Sequence, residues 1–287
     1  MALIWLNGKI CEKDQAKISV FDHGLLYGDG VFEGIRFYGG KPFQLSAHVD
    51  RLFDSASYIN LRIPYSKEQL AQTVLDLIRT YAKPEGYIRL VVTRGEGGLG
   101  INPALCAEPT VIIIADQLQF LPQAVFKNGA KLIIAATRRL AVDGLDPRVK
   151  SLNYLNHILA RLEANHANAD EAILLNAQGY VTEGSTDNIF LVKNNTLLTP
   201  PVSDGALNGI TRRVVLELAD RISITYSEQS LTPYDLYTAD ECFLTGTAAE
   251  LVPVAQIDGR TLPVVKGPVF QKLQTAFQQL LAEIKTD

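Results

Sequence analysis

The sequence predicts two α+β domains with mixed sheets and flanking helices. Its 287 residues suit two domains, at the ~150 residues per domain used as a prior. Hydrophobic residues make up 47% of the chain and charged residues 20%, which is the balance of a folded globular protein. Hairpin signals recur in both halves, and this order favours α+β domains over a doubly wound parallel sheet.

The first domain is expected over residues 1–118. Dipeptides typical of hairpin turns occur at Asn7-Gly8 and at Gly39-Gly40, each between apolar runs that predict strands. Strands over 87–94 and 110–118 are rich in Val and Ile, which predicts burial on both faces. Two helices complete this domain, one capped by Ser46 and one over 67–81 capped by Ser66.

A connection is expected over residues 119–129, where the pattern lapses around Pro122, Asn128 and Gly129. The second domain follows over 130–287. Turn signals at 178–179 and 194–195 predict antiparallel hairpins. The predicted strands cover 131–137, 171–175, 188–192, 196–198, 222–226 and 241–245, and the predicted helices begin at Lys150 or cover 210–221 and 267–285.

Charge and cysteine content indicate the classes of partner. The net charge of −4 argues against a general nucleic-acid binder, so small molecules are the expected partners. Three widely separated cysteines offer no disulfide framework, and the four histidines show no metal spacing. No apolar run approaches the ~20 residues of a membrane span, and the start lacks a secretory leader. We therefore expect a cytoplasmic protein.

Lys150 is the first candidate for chemistry. It follows Arg148 and is expected to open a helix whose apolar face carries Leu152, Leu155, Leu159 and Leu162. The positive end of the helix dipole and the neighbouring guanidinium would favour the neutral amine. A neutral lysine is the nucleophile that Schiff-base enzymes require. The alternative is a solvated lysine near a turn.

Three segments have the composition of anion sites. Gly209 and Thr211 stand at the start of a predicted helix, where free N–H groups suit a phosphate. Small residues over 246–250 allow close backbone approach, and His48 with Arg51 places a guanidinium fork on one helix face. The alternatives are a helix that only caps itself, a tight turn and a solvated helix face.

Glu183 lies between two predicted strands. A carboxylate there could hold a protonated ring nitrogen, which is the feature that makes pyridoxal phosphate an electron sink. An exposed glutamate at a turn is the alternative. The glycine-rich stretch over 95–100 opens no helix and is therefore not a nucleotide motif.

Together, six strings in this order resemble the class IV pyridoxal-phosphate aminotransferases over nearly the whole chain. The resemblance implies a fold-type IV enzyme of two domains, commonly dimeric, with pyridoxal 5'-phosphate (PLP) between the domains. The strings are Tyr27-Gly-Asp-Gly-Val-Phe-Glu-Gly-Ile-Arg36, His48-x-x-Arg51-Leu52, Lys150-Ser-Leu-Asn-Tyr154, Glu183-Gly-Ser185, Gly209-Ile-Thr-Arg212 and Gly246-Thr-Ala-Ala-Glu250.

The resemblance also implies the roles of cofactor contacts. It makes Lys150 the Schiff-base lysine and proton shuttle, Glu183 the partner of the pyridine nitrogen and Tyr154 the partner of the phenolic oxygen. The residues that match the family's phosphate contacts are Arg51, Ile210 through its backbone N–H, Thr211 and Thr247.

Within the family, the strings at 32–36 and 87–89 look like the branched-chain amino-acid aminotransferases. That likeness assigns Arg89 to the distal carboxylate of glutamate. It assigns the α-carboxylate to Tyr87 with the backbone of Thr247 and Ala248, the apolar pocket to Tyr27, Phe32 and Gly34, and residues lent across a dimer interface to Leu99 and Ile101. One departure is that residues 118–129 hold neither the tryptophan nor the tyrosine that the family often places there.

The resulting hypothesis is a ping-pong transamination of leucine, isoleucine and valine with 2-oxoglutarate in a homodimer. Two related alternatives are a D-amino-acid aminotransferase, whose Arg-x-His pair we do not find, and an aminodeoxychorismate lyase. A cofactor-free oligomeric scaffold is the alternative from outside enzymes.

Overall fold

The computed structural model describes residues 2–117 and 122–286. The chain forms two compact units: the first contains Met1–Gln119, Val149–Asn153 and Leu281–Asp287, and the second contains Phe120–Arg148 and Tyr154–Leu280. The short segment around Lys150 thus groups with the first unit. The start of the predicted connection, over 119–121, lies outside the described residues, so the predicted boundaries remain predictions.

The first unit contains an antiparallel sheet and α-helices. Its elements are β1 Leu3–Leu6, β2 Lys9–Glu12, α1 His23–Tyr27, β3 Gly30–Tyr38, β4 Lys41–Pro42, α2 Leu45–Tyr58, α3 Lys67–Tyr81, β5 Glu85–Thr93, a 3₁₀ turn Pro103–Leu105 and β6 Thr110–Asp116. The strands pair in the order β2-β1-β6-β5-β3-β4, and every pair is antiparallel. The hairpins predicted at Asn7-Gly8 and Gly39-Gly40 are confirmed.

The two long helices of this unit begin differently. At α3 the Ser66 hydroxyl accepts from the Gln69 N–H at 3.2 Å, and the Gln69 side chain accepts from the Ser66 N–H at 2.7 Å. This capping box confirms the predicted cap. The cap predicted at Ser46 is wrong, because α2 already begins at Leu45 and Gln44 holds the cap position with φ of 54°.

Alternation along the strands gives the sheet of the first unit two different faces. Val31, Ile35 and Phe37 of β3 point into an apolar core that α2 and α3 cover. Buried and half-buried residues alternate along β5 and β6. The expectation that both faces of these strands are buried is therefore wrong within this unit, because the face away from the apolar core is only half-buried.

The second unit adds the remaining elements. Part of the predicted connection is helical here, over Gln123–Asn128. The elements are α4 Gln123–Asn128, β7 Ala130–Arg138, α5 Leu155–His166, β8 Glu171–Leu175, β9 Val181–Gly184, β10 Asn188–Lys193, β11 Thr196–Thr199, a 3₁₀ turn Val202–Asp204, α6 Ile210–Arg221, β12 Tyr226–Glu228, α7 Pro233–Tyr237, β13 Glu241–Gly246, β14 Glu250–Ile257, β15 Arg260–Thr261 and α8 Pro268–Thr286.

The sheet of the second unit is mixed, as predicted. Its order is β12-β11-β10-β13-β14-β7-β8-β9, with β15 paired to β14, and three of the pairs are parallel: β11 with β12, β14 with β7 and β7 with β8. The predicted antiparallel hairpins β8–β9 and β10–β11 are confirmed. The strand predicted over 222–226 is wrong, since Ser223 adopts φ of 57° and the strand begins only at Tyr226.

The helix predicted to begin at Lys150 begins at Leu155 instead. Leu155, Leu159 and Leu162 do share one face of α5, as predicted, but that face is exposed, and the buried side holds His157, Ala160 and Ala164. Small side chains allow that side of α5 to lie close to β7 and β8. Within residues 2–117 and 122–286, no helix has the length and apolarity needed to cross a bilayer.

Candidate active site

Lys150 lies in an extended segment that pairs with the beginning of β3. The Phe32 N–H donates to the Lys150 carbonyl at 3.0 Å, and the Leu152 N–H donates to the Gly30 carbonyl at 2.9 Å. This pairing keeps the segment extended, so the expected helix dipole does not act at Lys150. The Arg148 guanidinium is paired with Asp146 and its side chain is 63% exposed.

Two further contacts fix the Lys150 side chain and backbone. Its Nζ lies 4.8 Å from the centre of the Phe32 ring, and its backbone N–H donates to the Ser55 hydroxyl of α2 at 3.1 Å. Strand pairing, the ring and the helix together give the amine a defined position, which is the geometric requirement for a nucleophile.

The sheet face away from the core collects four of the predicted substrate residues. Gly34 of β3 stands opposite Arg89 of β5, and the Arg89 guanidinium lies 4.7 Å from the Phe32 ring and 5.5 Å from the Tyr87 ring. A Cβ added to Gly34 would lie 1.7 Å from the Tyr87 hydroxyl oxygen. Glycine is therefore required at this position for the Tyr87 phenol to occupy its place.

Tyr27, Leu99 and Ile101 form a separate group in the same unit. The Gly100 N–H donates to the Tyr27 hydroxyl at 2.9 Å, which ties α1 to the loop that carries both apolar residues. Leu99 is 75% exposed and Ile101 is 83% exposed. Apolar side chains this exposed on one short loop are typical of a surface that binds another molecule.

Arg51 uses its guanidinium fork on a carboxylate of its own unit. Its Nε donates to Glu33 Oε1 at 2.6 Å and its Nη2 donates to Glu33 Oε2 at 2.8 Å. His48, the other member of the predicted anion site, contacts the same carboxylate through Nδ1 at 2.7 Å. The three side chains form one cluster between β3 and α2.

In the second unit, Glu183 is buried within β9 and is not an exposed turn residue. Its Oε1 accepts from Arg139 Nε at 2.9 Å, and its Oε2 accepts from the Leu207 N–H at 2.9 Å. The ion pair with Arg139 is itself buried, so both hydrogen bonds are shielded from water. The carboxylate therefore has a fixed orientation.

Tyr154 precedes α5 and stacks on His157, with ring centres 4.4 Å apart and planes 18° apart. Nδ1 of His157 lies 2.8 Å from the Ser185 carbonyl oxygen. Because a carbonyl only accepts, Nδ1 carries the proton. The stack thus connects Tyr154 to the segment that directly follows Glu183.

The start of α6 has the properties of an anion site. Gly209 occupies the cap position without a side-chain cap among the described residues, and Ile210 and Thr211 are buried. A Cβ added to Gly209 would lie 1.9 Å from the Asn188 side-chain oxygen. Within the described part of the chain, no side chain caps the first N–H groups of α6, and uncapped N–H groups at a helix start suit an anion.

Thr247 and Ala248 lie in the turn that joins β13 to β14, where Gly246 pairs with Glu250. Both residues are half-buried. Two residues earlier, the buried Thr245 hydroxyl has no hydrogen-bond partner among the described residues, and the same is true of the Ser185 hydroxyl. Buried polar atoms without a partner indicate room for a polar group that satisfies them.

Sequence reasoning missed several supporting residues. Glu33 could have been found, because it is a charged residue at a core-facing position between Val31 and Ile35. Arg139 and the N–H of Leu207 carry no comparable signal, since they meet Glu183 only in the folded chain.

The chain matches known proteins along most of its length. Residues 30–257 match the family model described as amino-transferase class IV. A putative branched-chain-amino-acid aminotransferase of Methanocaldococcus jannaschii is 51% identical over 278 residues, or 96% of each chain. The crystal structure of the Escherichia coli branched-chain amino acid aminotransferase is 36% identical, with a TM-score of 0.94, and covers 97% of this chain and 94% of its own.

A third relative was solved with a ligand. The branched-chain aminotransferase of the archaeon Thermoproteus uzoniensis, solved with norvaline, is 36% identical with a TM-score of 0.92, over 99% of this chain and 96% of its own. The family model covers most of the chain, and the two solved relatives share its fold nearly end to end. The chain therefore belongs to the class IV aminotransferases and has their fold-type IV architecture.

Proposed function

We propose that this chain is a PLP-dependent branched-chain-amino-acid aminotransferase. It transfers the amino group of leucine, isoleucine or valine to 2-oxoglutarate by a ping-pong mechanism and gives 2-oxo acids and L-glutamate. The names of the relatives favour this activity over a D-amino-acid aminotransferase or an aminodeoxychorismate lyase. The observation that carries the proposal is the Phe32 ring, which contacts both the Lys150 amine and the Arg89 guanidinium.

The donor set fits the proposed cofactor. Lys150 offers a positioned amine, and the start of α6 at Ile210 and Thr211 offers N–H groups suited to a phosphate. Glu183 offers a buried carboxylate for the pyridine nitrogen, and the Thr245 hydroxyl, which has no hydrogen-bond partner within residues 2–117 and 122–286, lies two residues before Thr247. When bound, PLP supplies an electrophilic aldehyde and an electron-withdrawing pyridinium ring.

The residues have separate roles in the proposed reaction. Lys150 Nζ takes the α-proton of the substrate and returns it, which is general acid–base work by one group. Glu183 holds the proton on the ring nitrogen, and Tyr154 donates to the phenolic oxygen. Arg51, Ile210, Thr211 and Thr247 bind the phosphate, with Ile210 acting through its backbone N–H.

One pocket must accept both an aliphatic side chain and a carboxylate. Phe32, with Tyr27 and Gly34, provides the apolar lining, and Arg89 beside the Phe32 ring provides a cation for the distal carboxylate of glutamate. The α-carboxylate binds Tyr87 and the backbone of Thr247 and Ala248. The two substrates then bind the same residues through their α-carboxylates and differ only in whether the side chain contacts Arg89.

We further propose a homodimer in the cytoplasm. The exposed Leu99 and Ile101 are the residues that each protomer lends to its partner's site, and the hydrogen bond from Gly100 to Tyr27 fixes the loop that carries them. The three cysteines are free, which fits a reducing compartment.

Coupled turnover tests this function. Purified chain supplied with PLP and 2-oxoglutarate is expected to form glutamate from each of the three branched-chain L-amino acids. Lys150→Ala is expected to lower kcat by about 10⁴-fold, because a positioned proton-transfer group is removed. Lys9→Ala changes an exposed lysine of the same unit and serves as the control. Unchanged turnover in Lys150→Ala, or no turnover of any of the three substrates by the wild type, would contradict the proposal.

A further inference from the structure

Glu33 is a charged residue in a position that strand alternation assigns to the core. Its neighbours on the same face of β3, Val31 and Ile35, are fully buried, and Glu33 is as inaccessible as they are. An ionised carboxylate in such a place is costly unless it is paired and hydrogen-bonded. The partners of the Glu33 carboxylate show what stabilises it and what it can do.

The first partner is Arg51, whose Nε and Nη2 engage the two carboxylate oxygens as a bidentate fork. Such a pair fixes the plane of the guanidinium as well as its position. The pKa of Glu33 is about 2: burial alone would raise it, and the charge of Arg51 with hydrogen bonds from His48 and Arg51 outweighs burial. Glu33 is therefore an anion throughout the working pH range.

The second partner is His48. Because the Glu33 carboxylate only accepts, Nδ1 of His48 carries the proton in their 2.7 Å contact. Burial lowers the pKa of His48 from its usual value, so the ring is neutral near pH 7. Its Nε2 is buried and has no hydrogen-bond partner among the described residues. The histidine thus braces the Oε2 atom that Arg51 Nη2 also contacts, and it adds no charge.

The same helix that carries Arg51 also holds the Lys150 backbone through Ser55, one turn further on. Glu33 belongs to β3, which pairs with the Lys150 segment. The cluster is therefore joined to the Lys150 backbone through two elements of its own unit, α2 and β3. Any rotation of the Arg51 guanidinium is restricted by a carboxylate on the strand next to the reacting lysine.

We propose that Glu33 is a positioning residue for cofactor binding, which orients the Arg51 guanidinium for the 5'-phosphate of PLP with His48 as its brace. This inference rests on the proposed function, in which Arg51 is a phosphate contact. A variant without the Glu33 charge keeps Arg51, but its guanidinium plane is free to rotate. The affinity for a phosphorylated cofactor then falls. The affinity for a cofactor without the phosphate does not depend on Arg51, so it is the same in the wild type and in the variant.

The test compares two probes on the full-length apoprotein. Dissociation constants for PLP and for pyridoxal, which lacks the phosphate, are measured by absorbance titration in the wild type, Glu33→Gln and Arg51→Gln. We expect Glu33→Gln to weaken PLP binding by about 10- to 100-fold, the range seen when the supporting partner of a metal ligand is removed, and to leave pyridoxal binding within about twofold. The double variant Glu33→Gln/Arg51→Gln is expected to bind PLP no more weakly than Arg51→Gln alone, because Glu33 acts through Arg51.

A matched control is present in the same unit. Asp29 and Arg94 form a second bidentate pair, with contacts of 2.9 Å at Nε and at Nη2, so Asp29→Asn removes a comparable fork. We expect Asp29→Asn to leave both dissociation constants unchanged. If Glu33→Gln does not fold, Glu33→Asp decides, because it keeps the charge and withdraws the carboxylate by one methylene. It is then expected to weaken PLP binding selectively.

The outcomes separate this inference from the function it rests on. Glu33→Gln or a folded Glu33→Asp that binds PLP like the wild type overturns the inference alone, and so does equal weakening of PLP and pyridoxal. A wild-type chain that binds neither probe overturns the proposed function and the inference together.

Discussion

In each unit an ion pair orients the predicted cofactor contact, but the charge of the contacting residue is positive in the first unit and negative in the second. In the first unit the contact is a cation, Arg51, and the buried carboxylate of Glu33 orients it. In the second unit the contact is a carboxylate, Glu183, and the buried guanidinium of Arg139 orients it. Each unit thus supplies the counter-charge for its own functional group. Each of the two groups is therefore oriented by partners within its own unit.

The largest expected effect comes from breaking the pair of the second unit. Arg139→Met removes the guanidinium from the buried Glu183 carboxylate, which keeps its hydrogen bond from the Leu207 N–H. We expect the free energy of unfolding to fall by about 3–5 kcal/mol, because removing one partner of a buried ion pair is strongly destabilising. Urea unfolding at pH 7.5 measures it.

Two further variants make this result specific. Adding Glu183→Gln to Arg139→Met removes the buried charge and is expected to recover most of the loss. Arg148→Met removes an arginine that is paired with Asp146 but 63% exposed, and is expected to cost less than about 1 kcal/mol. A loss below 1 kcal/mol in Arg139→Met would show that the second unit does not depend on its pair.

The Glu33–Arg51 pair of the first unit is expected to make the free energy of unfolding fall in acid. The pKa of Glu33 is about 2 in the folded chain against an ordinary value of 4.5, because Arg51 and His48 together outweigh the effect of burial. A depressed folded pKa gives stability that is fully present above the ordinary pKa and is lost as the pH falls toward the folded one. The total is on the order of 3 kcal/mol.

Urea midpoints between pH 7 and pH 3 check this expectation. The wild type is expected to lose more stability over that range than Glu33→Gln, which has no carboxylate to protonate at this position. Parallel pH profiles for the two proteins would mean that Glu33 does not act as a buried anion.

The smallest expected effect concerns a residue positioned by shape. Gly34→Ala would place its Cβ 1.7 Å from the Tyr87 hydroxyl oxygen, so the phenol must move. We expect kcat/KM for leucine to fall about 10- to 100-fold, equivalent to roughly 1–3 kcal/mol of overpacking. Gly144→Ala, whose nearest atom would be 3.4 Å away, is the control. Unchanged kcat/KM in Gly34→Ala would remove Tyr87 from the proposed binding site.

Local signals predicted local structure well. The cap at Ser66, the hairpin turns and the bounds of α6 depend on interactions within a few residues, and all agree with the structure. The family resemblance predicted the fold class, because six strings in order are far more specific than any one of them. The roles of the site residues remain predictions.

Long-range pairing explains most of what was missed. The helix expected at Lys150 fails because the segment pairs with β3, more than one hundred residues earlier in the sequence. The exposure of the leucine face of α5 was not predicted, because periodicity shows that a face is apolar and does not show what covers it. The ion pair of Arg139 with Glu183 joins residues 44 apart, for which a single sequence contains no signal.

The pairing of the Lys150 segment with β3 also limits how the protein can be divided. A fragment that ends at residue 119 would lose the extended piece at Val149–Asn153 that belongs to its own compact unit. A fragment that starts at residue 120 would carry the lysine without the strand that keeps it extended. Neither half can be expected to reproduce the amine in its native setting, so gene truncation is a poor route to a minimal enzyme.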